Sequence, residues 1–549
     1  TSANTPAADG IAGKEYQHIL MSGVMDPDAE QSQPNHDEVF GRADFGTVVD
    51  MFWDAVDVAG GHIALIEGER TLSYRDYGAA VAALAARLAA IGVSRERVAI
   101  LVPNSIEANV AIYAALAAGA QVALLNPGYG ADELAPLFDI ARPKVIIAGV
   151  DGARAARGIA AAHSIDHLLA VGEGDLSTPA LVAQAATRPA VRIDRGDLAT
   201  LLFTGGTTGV PKGVDRPHGT LVEIVHGMHQ AWPTRIDQEV WLNVAPVFHV
   251  WGSLMGCLNP VYCRSPVVII SRYQPDLVLA ALERHRVTVF SGGPAAIYVG
   301  LLAAAGIDRT DLSSLRICPG GGSPFLMETL TTWYARTGVP ILEAFGMTEG
   351  GPICANPTDG THRFGTVGRP LPGLEVSIAA LDDPERAVPT GQLGEIRIRG
   401  SRVVHAYRGQ GAGRADGWLY TGDVGVFDAD GYLRLVDRTK DMLIVGGFNV
   451  YPREIEEVLA RHPAVAEAAV VGTPDARKGE VPVAFARLRD GATASPTALA
   501  DYCAAHLVAY KRPRSVTLMD AIPKTPANKI CRKTLAGLAA EQQPPGENE

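Results

Sequence analysis

The sequence predicts an α/β protein: a large N-terminal part of helix-covered, mainly parallel β-sheets, then a small β-rich subdomain, then a small α+β unit near the C-terminal end. Three observations predict it. From Phe45 to Gly373, short apolar strand-like runs alternate with longer helical stretches. After Gly373 the texture changes to short β-rich pieces, and near Asp441 a fresh α/β pattern begins. At 549 residues the chain exceeds one ordinary core, so more than one domain is expected.

In order, residues 1–44 read as a loose N-terminal arm, with an acidic Gln/Pro/Asn-rich patch around Asp26–Glu38. Tyr74–Ile91 is Ala-rich with helical apolar spacing, Val98–Val102 is strand-like, Ile106–Gly119 helical and Gln121–Leu125 strand-like. The apolar run Val110–Leu125 contains Gln121 and is too short for a bilayer, so it reads as a buried helix followed by a strand, and no transmembrane segment is expected. Val145–Ala148, Val267–Ile270 and Val287–Phe290 repeat the strand theme. Glu375–Ile378, Gly394–Arg399 and Tyr432–Val436 predict the antiparallel subdomain. Helix Pro452–Arg461, strands Val465–Val471 and Val481–Leu488 and helix Pro496–Leu507 make the last unit. The expected limits are an arm over 1–44, a large domain over 45–439, a small domain over 440–540 and a tail over 541–549.

Composition narrows the function. With 47% hydrophobic and 20% charged residues the chain has the balance of a globular enzyme. A net charge of −12 argues against a nucleic-acid partner, which needs clustered Lys and Arg. Six cysteines without Cys-x-x-Cys or zinc spacing read as reduced buried thiols of a cytoplasmic protein. The N-terminal arm has neither a basic start nor an apolar leader core.

The richest motif is Phe203-Thr-Gly-Gly-Thr-Thr-Gly-Val-Pro-Lys-Gly213. Gly205, Gly206, Gly209 and Gly213 let backbone amides crowd against an anion; Thr204, Thr207 and Thr208 add hydroxyls and Lys212 a charge, which together suit a polyphosphate. The Walker A template fails, because Gly213 rather than Ser or Thr follows Lys212. Downstream lie Gly320-Gly-Gly-Ser-Pro324, then Glu343-Ala-Phe-Gly-Met-Thr-Glu349, where an aromatic beside a glycine suits a purine and Glu349 suits Mg²⁺. Tyr420-Thr-Gly-Asp423 offers a turn-borne carboxylate for ribose hydroxyls, although an Asp in a turn is also ordinary turn chemistry. Asp437-Arg-Thr-Lys-Asp441, Val445-Gly-Gly-Phe-Asn-Val-Tyr-Pro452 and Pro523-Lys-Thr-Pro-Ala-Asn-Lys529 complete the set.

In this order the motifs resemble the adenylate-forming superfamily of acyl-CoA synthetases, peptide-synthetase adenylation domains and beetle luciferases, and the resemblance covers nearly all of the chain beyond the arm. It implies that Thr204–Lys212 grips the ATP phosphates, with Thr208 and Glu349 near Mg²⁺. Gly321, Gly322, Ser323 and the stretch Glu343, Ala344, Phe345, Gly346 and Met347 would frame the adenine, and Thr348 would touch the α-phosphate. Asp423, Leu435 and Arg438 would hold the nucleoside. Lys440 falls at the hinge of a mobile small domain, Gly446, Gly447 and Phe448 line the CoA tunnel, and Lys529 bridges substrate carboxylate and α-phosphate. Three departures stand out: Gly205 replaces a common serine, Phe345 a common tyrosine, and Asn528 the usual glycine before the lysine.

Ala245-Pro-Val-Phe-His-Val-Trp-Gly252 resembles the acyl-binding motif of fatty and aryl acid CoA ligases. His249 would stand by the carboxylate, with Val250, Trp251, Gly252, Pro294, Ala295 and Gly321 around the acyl group. The resemblance implies a free-standing ligase using ATP, Mg²⁺ and CoA on a medium- or long-chain fatty acid. Aryl or alicyclic acids are the runner-up, and loading of a carrier protein's phosphopantetheine, a luciferase-like oxygenase and a nucleotide sensor are the other readings. A homodimer, and a lysine acetyltransferase and deacetylase acting on Lys529, are further candidate partners.

Overall fold

Short apolar runs separated by amphipathic stretches pair as parallel strands, because each intervening helix returns the chain to the same end of the sheet. The computed structural model describes residues 45–204, 211–404, 406–410, 416–475, 477–524 and 530–541. Its six-stranded sheet runs His167–Val171, Val145–Gly149, Arg97–Leu101, Gln121–Leu124, Leu198–Thr204, Lys212–Pro217 in spatial order, parallel except for the last strand. A five-stranded sheet joins Val289–Ser291, Trp241–Asn243, Val267–Ile269 and Ile63–Glu67 in parallel, with Arg70–Ser73 antiparallel at its edge.

Helix Ile106–Ala117 lies in the core that both sheets share, and every residue but Glu107 is buried. The run Val110–Leu125 is therefore an interior helix followed by strand Gln121–Leu124, as expected. Among the described residues no helix is long and apolar enough to cross a membrane. Helix Tyr74–Ile91 starts at a Ser73 cap and stops at Gly92, whose φ of 77° suits a residue without Cβ.

Cys318–Gly321 and Ile341–Met347 pair in parallel and begin a third sheet. Beyond Gly373, strands Glu375–Ala379, Gly394–Arg399, Leu419–Phe427 and Leu433–Arg438 form an all-antiparallel sheet around Ile378, Ile396, Ile398 and Leu433. After Asp441, the long hairpin Val465–Asp475/Gly479–Leu488 is flanked by helices Pro452–Ala460 and Pro496–His506 over a core of its own. The first hairpin strand runs four residues past the expected end, because its ladder with Gly479–Leu488 stays in register down to the turn. Five cysteines are buried, Cys531 is half-buried, and all six are free.

Candidate active site

The Leu198–Thr204 and Lys212–Pro217 strands form a hairpin in which Thr204 faces Lys212. Gly205, Gly206, Thr207, Thr208 and Gly209 lie outside the described residues. The hairpin brings Lys212 to a place the motif alone does not announce: its Nζ lies over the Tyr407 ring, 4.7 Å from the centroid. The Tyr407 hydroxyl in turn donates to Glu349 Oε1 at 2.6 Å. Burial and that carboxylate push the Tyr407 phenol well above the ordinary tyrosine range, so it remains a donor. Glu349 is buried, and the preceding Thr348 carbonyl accepts from Arg216 Nη2. Arg216 is itself wholly buried and donates through Nη1 to the Arg402 carbonyl at 3.3 Å. The Thr348-Glu349 turn is thus held from behind by Arg216 and from the side by Tyr407. Sequence reasoning missed both residues. Nothing local in Asp215-Arg216-Pro217 marks its arginine, and nothing local in Ala406-Tyr407-Arg408 marks its tyrosine.

Gly321 is in register with Ala344, and its N–H donates to the Gly293 carbonyl at 3.0 Å. A Cβ there would stand 2.9 Å from the Ala344 oxygen and 3.2 Å from the Trp251 ring, so the close approach needs glycine. Gly322, with φ 83°, faces open space. Ser323 Oγ accepts from the Ala295 amide at 3.0 Å, just after Pro294 at the head of helix Ala295–Ala303, so its hydroxyl is bound within the protein. Phe345 is buried with Ile353 and Val367 in the antiparallel core, whereas Gly346 is exposed and Met347 half-buried. The Glu343 carboxyl accepts from the Gly365 amide, and burial raises its pKa to about 7.

Asp423 and Arg438 are cross-strand partners, with Arg438 Nε 3.1 Å from Asp423 Oδ1. The Leu435 carbonyl, on the same strand as Arg438, accepts from Arg453 of the following unit at 3.4 Å. The amide of Thr439, next to Lys440, returns to the Gly422 carbonyl. Gly446 and Gly447 have φ of 59° and 85°, and the exposed Phe448 ring stacks on Tyr510 with centroids 4.5 Å apart. Lys529 lies outside the described residues, between Lys524 and Ile530, which form a bridge.

His249 heads the short helix Val250–Ser253, its amide bonded to the Pro246 carbonyl at 3.0 Å and its ring tilted on Phe248. At Gly252 a Cβ would stand 2.0 Å from that same Pro246 oxygen, so this turn excludes any side chain. Trp251 is locked: Nε1 donates to Ser291 Oγ at 2.9 Å, and the ring meets Trp232 edge-on. Gly293 and Gly321 together make room for the indole. The helix continues as a π-turn, Leu254–Leu258, a widening often found at functional sites. Two internal cavities flank this segment. The larger, mostly apolar one is bordered by Val250, Ser253, Leu254 and Cys257 together with Leu202 and Leu116. The smaller is bordered by Met255 and Asn259 together with Trp232 and Trp241.

Among the described residues no three His, Cys, Asp or Glu gather to hold a metal. The buried Glu349, one oxygen on Tyr407, offers the hard carboxylate oxygen that a magnesium ion would need.

Comparison with known proteins matches residues 52–408 to the AMP-binding enzyme family and residues 454–529 to the AMP-binding enzyme C-terminal domain. A 3-[(3aS,4S,7aS)-7a-methyl-1,5-dioxo-octahydro-1H-inden-4-yl]propanoyl:CoA ligase of Mycobacterium tuberculosis is 36% identical, over 87% of this chain and 96% of that protein. A long-chain-fatty-acid–CoA ligase of Bacillus subtilis is 31% identical, over 85% and 90%. The solved structure of ATP-bound MatB from Rhodopseudomonas palustris superposes with a TM-score of 0.83 at 29% identity, over 90% of this chain and 98% of that one.

Proposed function

The chain belongs to the AMP-binding enzyme family, as an AMP-forming acyl-CoA ligase, and from that premise we propose that its acid is a medium- or long-chain fatty acid. The acid's carboxylate oxygen attacks the α-phosphorus of ATP and pyrophosphate leaves. The CoA sulfur then attacks the acyl carbon of the adenylate, AMP departs and the thiol proton goes to solvent.

The observation that supports the acyl reading is the apolar wall that begins at Val250, the residue after His249. Val250 borders a cavity there, and Ser253, Leu254 and Cys257 continue the wall over the next two turns. Trp251, between Val250 and Gly252, is fixed on Ser291. A flexible alkyl tail gains by leaving water for such a wall at roughly 25 cal/mol per Å² buried. A second reading, an alicyclic or aryl acid, has support in the aromatic lining of the smaller cavity, bordered by Trp232, Trp241 and Asn259, and in the bicyclic substrate named for the mycobacterial relative.

The rest follows from the same premise. Thr204 and Lys212, with the loop between them, take the β- and γ-phosphates. Thr348, pinned by Arg216, meets the α-phosphate, and Asp423 and Arg438 take the ribose. Glu349 and Thr208 would hold a magnesium ion, whose charge would screen the phosphates. Lys529 places carboxylate and α-phosphate in line for the first step. A turn about Lys440 then exchanges it for Gly446, Gly447 and Phe448. The enzyme is read as cytoplasmic, with Lys529 open to acetylation. The test is AMP release with ATP, Mg²⁺ and CoA across straight-chain, aryl and alicyclic acids. CoA-dependent turnover on fatty acids is expected. Turnover confined to ring acids overturns the acyl reading, and pyrophosphate release that CoA does not accelerate moves the thiol to a carrier protein.

A further inference from the structure

Thr200 and Arg216 are partners in register across the hairpin that carries the glycine-rich loop, so their side chains leave the sheet on one face, side by side. Both border the larger cavity, whose remaining wall is mainly apolar, with Ile112, Leu116 and Leu124 among its residues. Thr200 is 6% exposed and Arg216 0%. The terminal nitrogens of Arg216 are taken by the Thr348 and Arg402 carbonyls, but its Nε has no hydrogen-bond partner, and neither has Thr200 Oγ1. Glu349, the carboxylate whose charge acts on Arg216, is bonded to Tyr407 instead. A guanidinium keeps its charge at any ordinary pH, and buried donors without acceptors are rare and costly. One unpartnered cationic donor and one unpartnered hydroxyl thus stand together on the wall of an apolar cavity.

Val250, the residue after His249, borders the same cavity, so this pair and the segment that would hold the acid share one wall. We propose that Arg216 Nε and Thr200 Oγ1 bind a second carboxylate at the distal end of the acyl chain, which makes α,ω-dicarboxylic acids a substrate class of this enzyme. The proposal rests on the ligase reading and on the passage of the chain beside Val250. An ionic partner repays the burial of Arg216 in a way that a methyl terminus does not, since a charge-assisted hydrogen bond is stronger than a neutral one. A trapped water would also satisfy Thr200 and Arg216 in the resting protein, but it would give no preference between the two kinds of acid.

The experiment measures kcat/KM for CoA-dependent AMP release with straight-chain monoacids and with diacids of matched length, in the wild type, Arg216→Met and Thr200→Val. At its best chain length the diacid is expected to exceed its monoacid by about tenfold or more, the scale of a buried charged pair. That ratio should fall about tenfold in Arg216→Met and severalfold in Thr200→Val. Reading a ratio cancels any general loss from the Arg216–Thr348 contact, and Thr200→Val alone decides if Arg216→Met does not fold. Diacids no better than monoacids at every length, or a ratio unmoved in the variants, overturns the subsite and leaves the ligase standing. No acid-dependent AMP release from any acid overturns both.

Discussion

Removing the Tyr407 hydroxyl, as in Tyr407→Phe, tests whether the chain Lys212–Tyr407–Glu349 positions the ATP site. The substitution keeps the ring beneath Lys212 and deletes only the 2.6 Å bond to Glu349 Oε1. Glu349 is 5% exposed, so water does not readily replace the lost donor. A hydrogen bond to a charged group contributes roughly 1.5–3 kcal/mol. If that orientation is used in the transition state, the loss corresponds to about a ten- to hundredfold fall in kcat/KM for ATP. Acid-dependent pyrophosphate release at varied ATP gives the number, and thermal unfolding of the same variant separates it from loss of fold. Tyr407→Leu also removes the ring under Lys212 and should cost about 0.5–1 kcal/mol more. A Tyr407→Phe enzyme within twofold of wild type would refute the argument and leave Tyr407 as packing.

Three further outcomes are expected. Lys529→Ala should abolish adenylation and largely spare thioester formation from supplied acyl-AMP; equal loss of both steps contradicts domain rotation. Glu343→Gln tests a pH effect: burial raises the folded pKa from 4.5 to about 7. The stability held below the unfolded value is therefore lost as pH rises toward 7, on the order of 3 kcal/mol. The variant should gain in thermal midpoint over wild type at pH 8 but not at pH 4, and parallel curves would reject this. Gly252→Ala, whose Cβ meets the Pro246 oxygen at 2.0 Å, should lower stability by about 1–3 kcal/mol or more and impair acid turnover, and an unchanged melting midpoint would deny that the turn is tight.

The elements were legible wherever periodicity alone sets them. Helix Tyr74–Ile91 falls at its expected ends, because Ser73 caps one and Gly92 closes the other. The antiparallel change after Gly373 was equally readable from short alternating runs. Ladder lengths were less so: Val465–Asp475 is long because its partner strand continues, and a partner is invisible in a local window. At the site, the glycine, threonine and acidic motifs were legible because each gathers its residue types close together in sequence, and the phosphate, purine and ribose roles are what the resemblance implies for them.

What the sequence by itself determined is the chemistry on offer and the family resemblance that orders it, because backbone freedom at glycine and the hydroxyl and charge inventory are local properties. Only the tertiary structure decided that Arg216 is buried and shares a cavity with Thr200, that Tyr407 joins Lys212 to Glu349, and that Trp251 rests on Gly293 and Gly321. Those contacts join residues tens to hundreds of positions apart. Desolvation and hydrogen-bond geometry depend on which surfaces meet, and sheet pairing and helix packing settle that for the whole chain at once.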